Sequence, residues 1–421
     1  MRNALLFFCL VSRLPLSKRE ASILTGMNHT ETKARNTPRL EADIARTMST
    51  FLEADTITDV HRDWEPTAST MSTFRPLEAF IGGLFIGVAC GVYMLFSRRI
   101  AGCSGSLKAV LLGPYETSKI AFTGGLLSGG TLMKVLLPSS FSAPPAPSLL
   151  LAFSGIAVGI GTALANGCTS GHGLCGLSRL SYRSLVAVPI FMVAAIITTT
   201  ISSVTMTITS DGTLGAILPI AILPIGATPA TTTGLAAQLA GGLALTLAAG
   251  LALLPAKSTA REAYLGLWSG GCFAIGLSIG GMVRPSVVAG ALGPAAFDGT
   301  LWVLFCTALA TTFVAFRVAA RVGISEATVW GAASPPPVDR ALLLGSVFFG
   351  VGWGASGLCP GPLLVDVGAA PGAPGLLLVL FAVALGMALA RLISEGGGAQ
   401  AARAPQAPSD AKADFGQSIL V

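Results

Sequence analysis

The stretch Leu149-Leu-Leu-Ala-Phe-Ser-Gly-Ile-Ala-Val-Gly-Ile-Gly-Thr-Ala-Leu-Ala-Asn166 is an apolar run of nearly the length that crosses a lipid bilayer. About 20 such residues in a helix span the hydrocarbon core. The run continues into a polar, glycine-rich segment that lies between two apolar regions, Asn166-Gly-Cys-Thr-Ser-Gly-His-Gly-Leu-Cys-Gly-Leu-Ser-Arg179. In lipid, such irregular backbone must be buried in protein or line a cavity. The pattern therefore predicts a membrane protein with broken helices.

Charges are scarce in the central part of the chain. Hydrophobic residues make up 52% of the 421 residues and charged residues only 11%, and the mean hydropathy is +0.74. Soluble proteins carry about 25% charged residues. Only 21 of the 46 charged residues lie between Ala79 and Ser394, because a charge at the bilayer centre costs about 2.5 to 3.5 kcal/mol. We therefore predict an all-α, polytopic integral membrane protein, placed in the plasma membrane, with an organellar membrane as the alternative.

The net charge of +6 belongs to this central part, where basic residues outnumber acidic ones. Arg98, Arg99, Arg179 and Arg183 lie next to predicted spans, where basic residues fix membrane topology. A positively charged lining for an anion would give the same pattern. Nothing in the sequence indicates binding to nucleic acid.

Apolar segments of span length recur about nine times. They lie near residues 79–96, 119–137, 149–166, 184–205, 234–254, 263–282, 300–319, 341–358 and 372–394. Four apolar connections rich in Gly, Ser or Pro look too short to span, and we predict short re-entrant half-helices there: 101–113, 167–180, 283–297 and 359–371. The regions outside are a polar N-terminal extension over 1–76 and a tail over 395–421, both predicted to be largely disordered.

The membrane region contains an internal repeat. Gly159-Ile-Gly-Thr-Ala-Leu-Ala-Asn-Gly-Cys168 matches Gly350-Val-Gly-Trp-Gly-Ala-Ser-Gly-Leu-Cys359 in the positions of its glycine pair and cysteine, at an offset of 191. We predict one repeat over 77–205 and a second over 263–394, joined by a linker and connecting helix over 206–262. Five crossings separate matched spans, so the halves should be inverted, as in many secondary transporters.

Cysteines mark the two candidate sites. In the first, glycines free the backbone N–H groups of residues 166–179 to face a ligand. In the second, Gly352-Trp-Gly-Ala-Ser-Gly-Leu-Cys359-Pro-Gly-Pro362, a proline after the cysteine predicts that Cys359 begins a short helix. Helix-packing glycines and an inert buried cysteine are the alternatives. Cys168, His172 and Cys175 offer three zinc ligands where a structural site needs four, so we predict no metal and no cofactor.

These motifs resemble the YeeE/YedE sulphur-transport family, as two family chains fused into one. The resemblance covers residues 77–394 and rests on the two cysteine motifs. Three further segments also match: Arg99-Ile-Ala-Gly-Cys-Ser-Gly105, Gly280-Gly-Met-Val-Arg-Pro-Ser-Val287 and Phe297-Asp-Gly-Thr-Leu301. It implies a permease for thiosulfate or a related sulfur anion, with cysteines along a central path. The polar N-terminal extension is not part of the family pattern.

Carried over by motif, Cys168 and Cys359 are path cysteines. For the third path cysteine, Cys90 and Cys103 remain alternatives. We expect help from Cys175, His172 and Ser170, and from the backbone at Gly167 and Gly361.

The expected partners are a small sulfur-containing anion and the lipid bilayer, with a cytosolic sulfur-carrier protein as a candidate; the oligomeric state is left open. We expect no enzyme activity. A membrane-embedded sulfur transferase, with Cys168 or Cys175 as nucleophile and His172 as base, and a nonspecific channel are the alternatives.

Overall fold

The computed structural model describes residues 74–211, 229–293, 297–324 and 338–401. Secondary structure in these ranges is helical, as predicted. Twelve α-helices are described: α1 (Pro76–Ser97), α2 (Cys103–Leu112), α3 (Thr117–Leu136), α4 (Leu149–Ala165), α5 (Tyr182–Asp211), α6 (Pro229–Leu253), α7 (Thr259–Ile279), α8 (Pro285–Leu292), α9 (Thr300–Arg321), α10 (Arg340–Ser356), α11 (Pro360–Ala369) and α12 (Pro374–Ala401). A π-helical segment, Thr169–Gly176, follows α4.

The helices confirm a polytopic membrane protein, with a smaller count of apolar spans than the nine predicted. In the described ranges, six helical segments are long and apolar enough to cross a membrane, or seven if the bent pair of α4 and the π-helical segment forms one span. Helices α3 and α7 lie where the second and sixth spans were predicted. Both are rich in glycine and hydroxyl side chains, so they fall below the apolar content of an isolated span.

Short helices occupy all four connections that were predicted to contain half-helices. They are α2, the π-helical segment, α8 and α11. The N-terminal extension over 1–73 and the end of the tail over 402–421 lie outside the described residues. At the C-terminus α12 continues to Ala401, beyond the predicted boundary at 394.

Helices from the two parts of the chain are interleaved. Helix α1 packs on α9 and α7, α3 packs on α7 and α11, and α4 packs on α10 and α12. Small residues allow this close approach: a Cβ atom added at Gly82 would lie 2.6 Å from the carbonyl oxygen of Gly276, and one at Gly276 would lie 2.6 Å from that of Gly82. The core is therefore formed between the two parts of the chain.

Helices α4 and α10 have the same length and the same ends. Each has 17 residues. Ser148 and Asp339 begin them as N-caps, each accepting a bond from the backbone N–H three residues ahead, at 3.2 and 2.9 Å. Asn166 and Gly357 end them in left-handed backbone conformations, with φ of 57° and 68°. Both pairs of residues differ by the offset of 191 seen in the sequence.

A cluster of charged residues links α3, the connection between α1 and α2, and the start of α7. Glu116 pairs with Arg99 and, at 2.7 Å, with Lys119, while Arg99 lies 4.0 Å from Glu262. Partial burial would raise the pKa of Glu116, but the hydrogen bonds and charges of Lys119 and Arg99 lower it overall. Glu116 is thus held in its charged form.

Candidate functional site

Three buried cysteines lie at the beginnings of three short helices. Cys103 is the first residue of α2, Cys168 is the N-cap of the π-helical segment and Cys359 is the N-cap of α11. Their side chains are 1%, 1% and 3% exposed. The N-terminus of a helix carries free N–H groups and the positive end of the helix dipole, so it favours a negative ligand. Each of these cysteines is therefore next to backbone that can attract an anion.

The three cysteines line the same cavity. Its volume is about 110 Å³, room for several water molecules or one small ion. The wall also contains residues of α1, α5, α7, α8, α9 and α10, so both parts of the chain contribute to it. Among the described residues, those of the wall are uncharged and mostly apolar. Three arginines that could have given a charged lining lie elsewhere. Arg99 is in the ion-pair cluster, Arg179 bonds to the carbonyl oxygen of Cys175, and Arg183 lies 3.8 Å from Asp339.

Two hydroxyl groups of the π-helical segment connect the cysteines. The Ser170 hydroxyl lies 3.2 Å from the Cys168 thiol and accepts a bond from the backbone N–H of Cys103 at 3.1 Å. The Thr169 hydroxyl lies 3.6 Å from the Cys359 thiol. One short segment thus contacts all three cysteines, through the thiols of Cys168 and Cys359 and the backbone of Cys103.

Five of the nine predicted site residues line this cavity: Cys103, Cys168, Ser170, Cys359 and Gly361. The structure separates the two alternatives for the third cysteine, because Cys103 is in the wall and Cys90 is not. Cys90 is fully buried within α1 and packs in the hydrophobic core. The side chain of Cys90 therefore belongs to the packing behind the cavity.

The other predicted residues, Cys175, His172 and Gly167, also lie behind the cavity wall. Cys175 donates its thiol hydrogen to the carbonyl oxygen of Ala101 at 3.3 Å. The His172 Nε2 lies 3.1 Å from the Ala165 carbonyl oxygen and its Nδ1 lies 3.0 Å from the Ser184 hydroxyl. Since a carbonyl only accepts, Nε2 donates and Nδ1 accepts.

These contacts give His172 a structural position. Both ring nitrogens are engaged by Ala165 and Ser184, and a Cβ atom at Gly167 would lie 2.6 Å from Nε2. The histidine therefore holds the turn after α4, and neither nitrogen is directed at a thiol. In the described ranges there is also no group of three side chains arranged to hold a metal ion.

Thr169 and Trp353 are two of the wall residues that sequence reasoning missed. Thr169 lies between two predicted site residues, so its position could have identified it. Trp353 occupies the position that matches Thr162 at the offset of 191. Thr162 bonds to backbone carbonyls of its own helix, so the repeat gave no signal for a cavity residue there.

Comparison with known proteins gives two family matches. A family profile described as "Sulphur transport" matches residues 44–198, and a second profile, DUF6691, described as a family of unknown function, matches residues 263–402. The second match coincides closely with the segment 263–394, while the first covers most of 77–205 but begins at residue 44, so it includes part of the N-terminal extension that was expected to lie outside the family pattern.

Curated relatives in Xylella fastidiosa are described as probable transporters. One from strain Temecula1 is 38% identical over 127 residues, which are 93% of that protein and 30% of this chain. One from strain 9a5c is 37% identical over the same share of each chain. A second protein of strain Temecula1 is 32% identical over 126 residues, 82% of its length and 29% of this chain. The chain therefore belongs to the sulphur transport family and is a membrane transporter.

Proposed function

We propose that the chain is a permease for thiosulfate or a related sulfur-containing anion, which moves past Cys103, Cys168 and Cys359. The observation that carries this proposal is that the three thiols begin three short helices around one cavity. The sulphur transport family supports a sulfur-related substrate.

The arrangement addresses the main energetic problem of moving an anion through a membrane. An unpaired charge in a low-dielectric interior costs tens of kcal/mol in the Born limit. Each helix N-terminus contributes roughly half a positive charge, so three of them offset much of the charge of a dianion. Thiols are weak, polarisable donors, and weak contacts allow release as well as binding.

We also propose that the two halves are inverted repeats, with 77–205 and 263–394 as the repeats and 206–262 as the connection. The equal lengths and matched caps of α4 and α10 support this. The helix contacts support it as well. In the repeat α7 matches α1 and α3 matches α9. Helix α1 packs on α9 and α7, and its match α7 correspondingly packs on α3 and α1. An inverted repeat places the two cysteine segments opposite each other near the bilayer midplane, as in other transporters with broken helices.

Uptake of radiolabelled thiosulfate into proteoliposomes tests the proposed path. Cys359→Ala, Cys168→Ala and Cys103→Ala should each reduce saturable uptake roughly tenfold or more, the effect of one lost bond to a buried anion. Cys272→Ala is the matched control, because Cys272 is buried to the same degree but is not in the cavity wall and donates to the Phe85 carbonyl oxygen.

Two results would contradict the proposal in different ways. Full uptake by all three cavity variants would remove the cysteines from the path. Absence of uptake by the wild-type protein, at a density of protein in the vesicles that is confirmed by immunoblot, would remove thiosulfate as the substrate.

A further inference from the structure

The indole of Trp353 is the part of the cavity wall whose hydrogen bonding is incomplete. Trp353 is 3% exposed and lines the cavity, and its Nε1 is a buried nitrogen with no hydrogen-bond partner in the described residues. A buried N–H without a partner has lost its bonds to water and gained none in return. Such a group in a native structure calls for a physical explanation.

The other two described tryptophans show what is unusual about Trp353. Trp268 donates its Nε1–H to the Leu243 carbonyl oxygen at 3.0 Å, and Trp302 donates to the Ala291 carbonyl oxygen at 3.1 Å. Trp302 also lines the cavity, so a position in the wall does not by itself leave an indole without a partner. Trp353 is thus the indole in the described wall that is free to bond to a ligand.

An aromatic cluster holds the Trp353 ring in place. The ring stacks on Phe349 at 6.0 Å with an interplanar angle of 8°, and it meets Phe191 edge to face at 6.2 Å. Phe191 and Phe349 also contact each other at 5.3 Å. A ring fixed on two sides keeps its N–H in one direction, so a bond to a ligand costs little loss of side-chain freedom.

We propose that Trp353 is a specificity-determining residue that donates its indole N–H to an oxygen of the transported sulfur anion. The inference rests on the proposed function and adds a preference for sulfur anions that carry oxygen. The soft end of such an ion contacts the three thiols, which are weak donors, while an oxygen accepts the stronger N–H bond. Nε1 is covered in the ligand-free cavity, so the bond forms when the entering ion displaces the side chain that covers the nitrogen, while the indole keeps its place in the aromatic cluster.

Nuclear magnetic resonance on the full chain in detergent tests this bond directly. The chain has five tryptophans, so protein labelled with ¹⁵N-tryptophan has five indole signals, and Trp353→Phe identifies the signal of Trp353 by its loss. Titration with sodium thiosulfate should move this signal downfield to saturation, while the signal of Trp268 stays in place. Sodium chloride at equal ionic strength is the control for salt effects.

The variants give a second measurement. Trp353→Phe keeps the ring and removes the N–H, and it should raise the Kd for thiosulfate about tenfold, as expected for the loss of one bond to a charged group. Trp268→Phe is the matched control and should leave the Kd unchanged. If Trp353→Phe does not fold, the signal is assigned by elimination from Phe variants of the other four tryptophans, and the wild-type titration decides.

The outcomes separate this inference from the proposed function. A stationary Trp353 signal in a protein that binds thiosulfate, or an unchanged Kd in Trp353→Phe, would overturn the role of the indole and leave the permease intact. A wild-type protein that binds no thiosulfate would overturn both thiosulfate as the substrate and the bond from Trp353 to it.

Discussion

The two cysteine loops, residues 166–179 and 357–371, have the same beginning and different interiors. Each follows a 17-residue helix, begins with a residue of positive φ and places a cysteine at the start of a short helix. The first loop then forms a π-helical segment with hydroxyl side chains, whereas the second forms α11 with Pro360 in its first turn. The features common to both loops place a cysteine thiol at the start of a short helix. The features that differ, hydroxyl side chains in one loop and a proline in the other, hold that thiol in position.

The hydrogen bonds around the thiols come from the first loop. Ser170 bonds to Cys168 and to the backbone of Cys103, and Thr169 contacts Cys359 in the opposite loop. The second loop relies on the fixed backbone angle of proline at its helix start. We conclude that the first loop is the more sensitive to loss of a polar group, and the second to a change of backbone.

The largest difference is expected at the positive-φ residues. Gly357→Ala should destabilise the protein by more than 1 to 2 kcal/mol, roughly the cost of a left-handed conformation with a Cβ. The new Cβ would also lie 2.8 Å from Cα of Pro285. Asn166→Ala, at the matching position, should destabilise the protein less. Asparagine already carries a Cβ atom in this left-handed conformation, and it tolerates the conformation only slightly better than alanine does. Thermal unfolding of both variants in the same detergent measures the two losses of stability. Equal losses would contradict the predicted difference between the two loops.

A smaller effect is expected from the bridging hydroxyl. Ser170→Ala removes a partner of Cys168 and leaves the N–H of Cys103 unpaired, so uptake of thiosulfate should have a KM about fivefold higher, from roughly 1 kcal/mol. Ser178→Ala is the matched control, since this buried serine bonds to the Leu309 carbonyl oxygen away from the cavity. A KM that is raised equally in both variants would show a general effect of the loop.

The smallest effect is expected from the contact between the two loops. Thr169→Val keeps the shape of the side chain and removes its weak bond to the Cys359 thiol at 3.6 Å, which should lower uptake about twofold. Thr169→Ser restores the hydroxyl and should restore uptake. If the serine variant remains as slow as the valine variant, the hydroxyl alone is not sufficient, and the loss of uptake cannot be assigned to the bond with the Cys359 thiol.

Much of the fold follows from patterns that act locally. Apolar runs of membrane length give the helices, and Gly, Ser and Pro between them give the four short helices. The proline after Cys359 correctly predicted a helix start at that cysteine. The predicted number of membrane spans is higher than the number of helices that are apolar enough to cross a membrane alone. Helices α3 and α7 explain the difference, because other helices cover them and they need less apolar surface of their own.

The site was harder to derive, because it depends on which way side chains face. Cys90 and Cys103 both lie in apolar sequence, and only the packing of α1 and α2 places one in the cavity wall and the other behind it. Trp353 differs from the other described tryptophans because its indole nitrogen has no hydrogen-bond partner. This property depends on every group that surrounds the nitrogen. The π-helical form of residues 169–176 likewise has no simple sequence pattern.

The interleaving of the helices has a consequence for how the chain is made. The partners of α1 include α9, and those of α4 include α10 and α12, which leave the ribosome only after the early helices are in the bilayer. Until then the glycine faces of the early helices have lipid or insertion machinery against them. Biogenesis should therefore be nearly all-or-none: a chain released before α12 should be recognised as incomplete by membrane proteases, and the fused gene guarantees one late half for every early half.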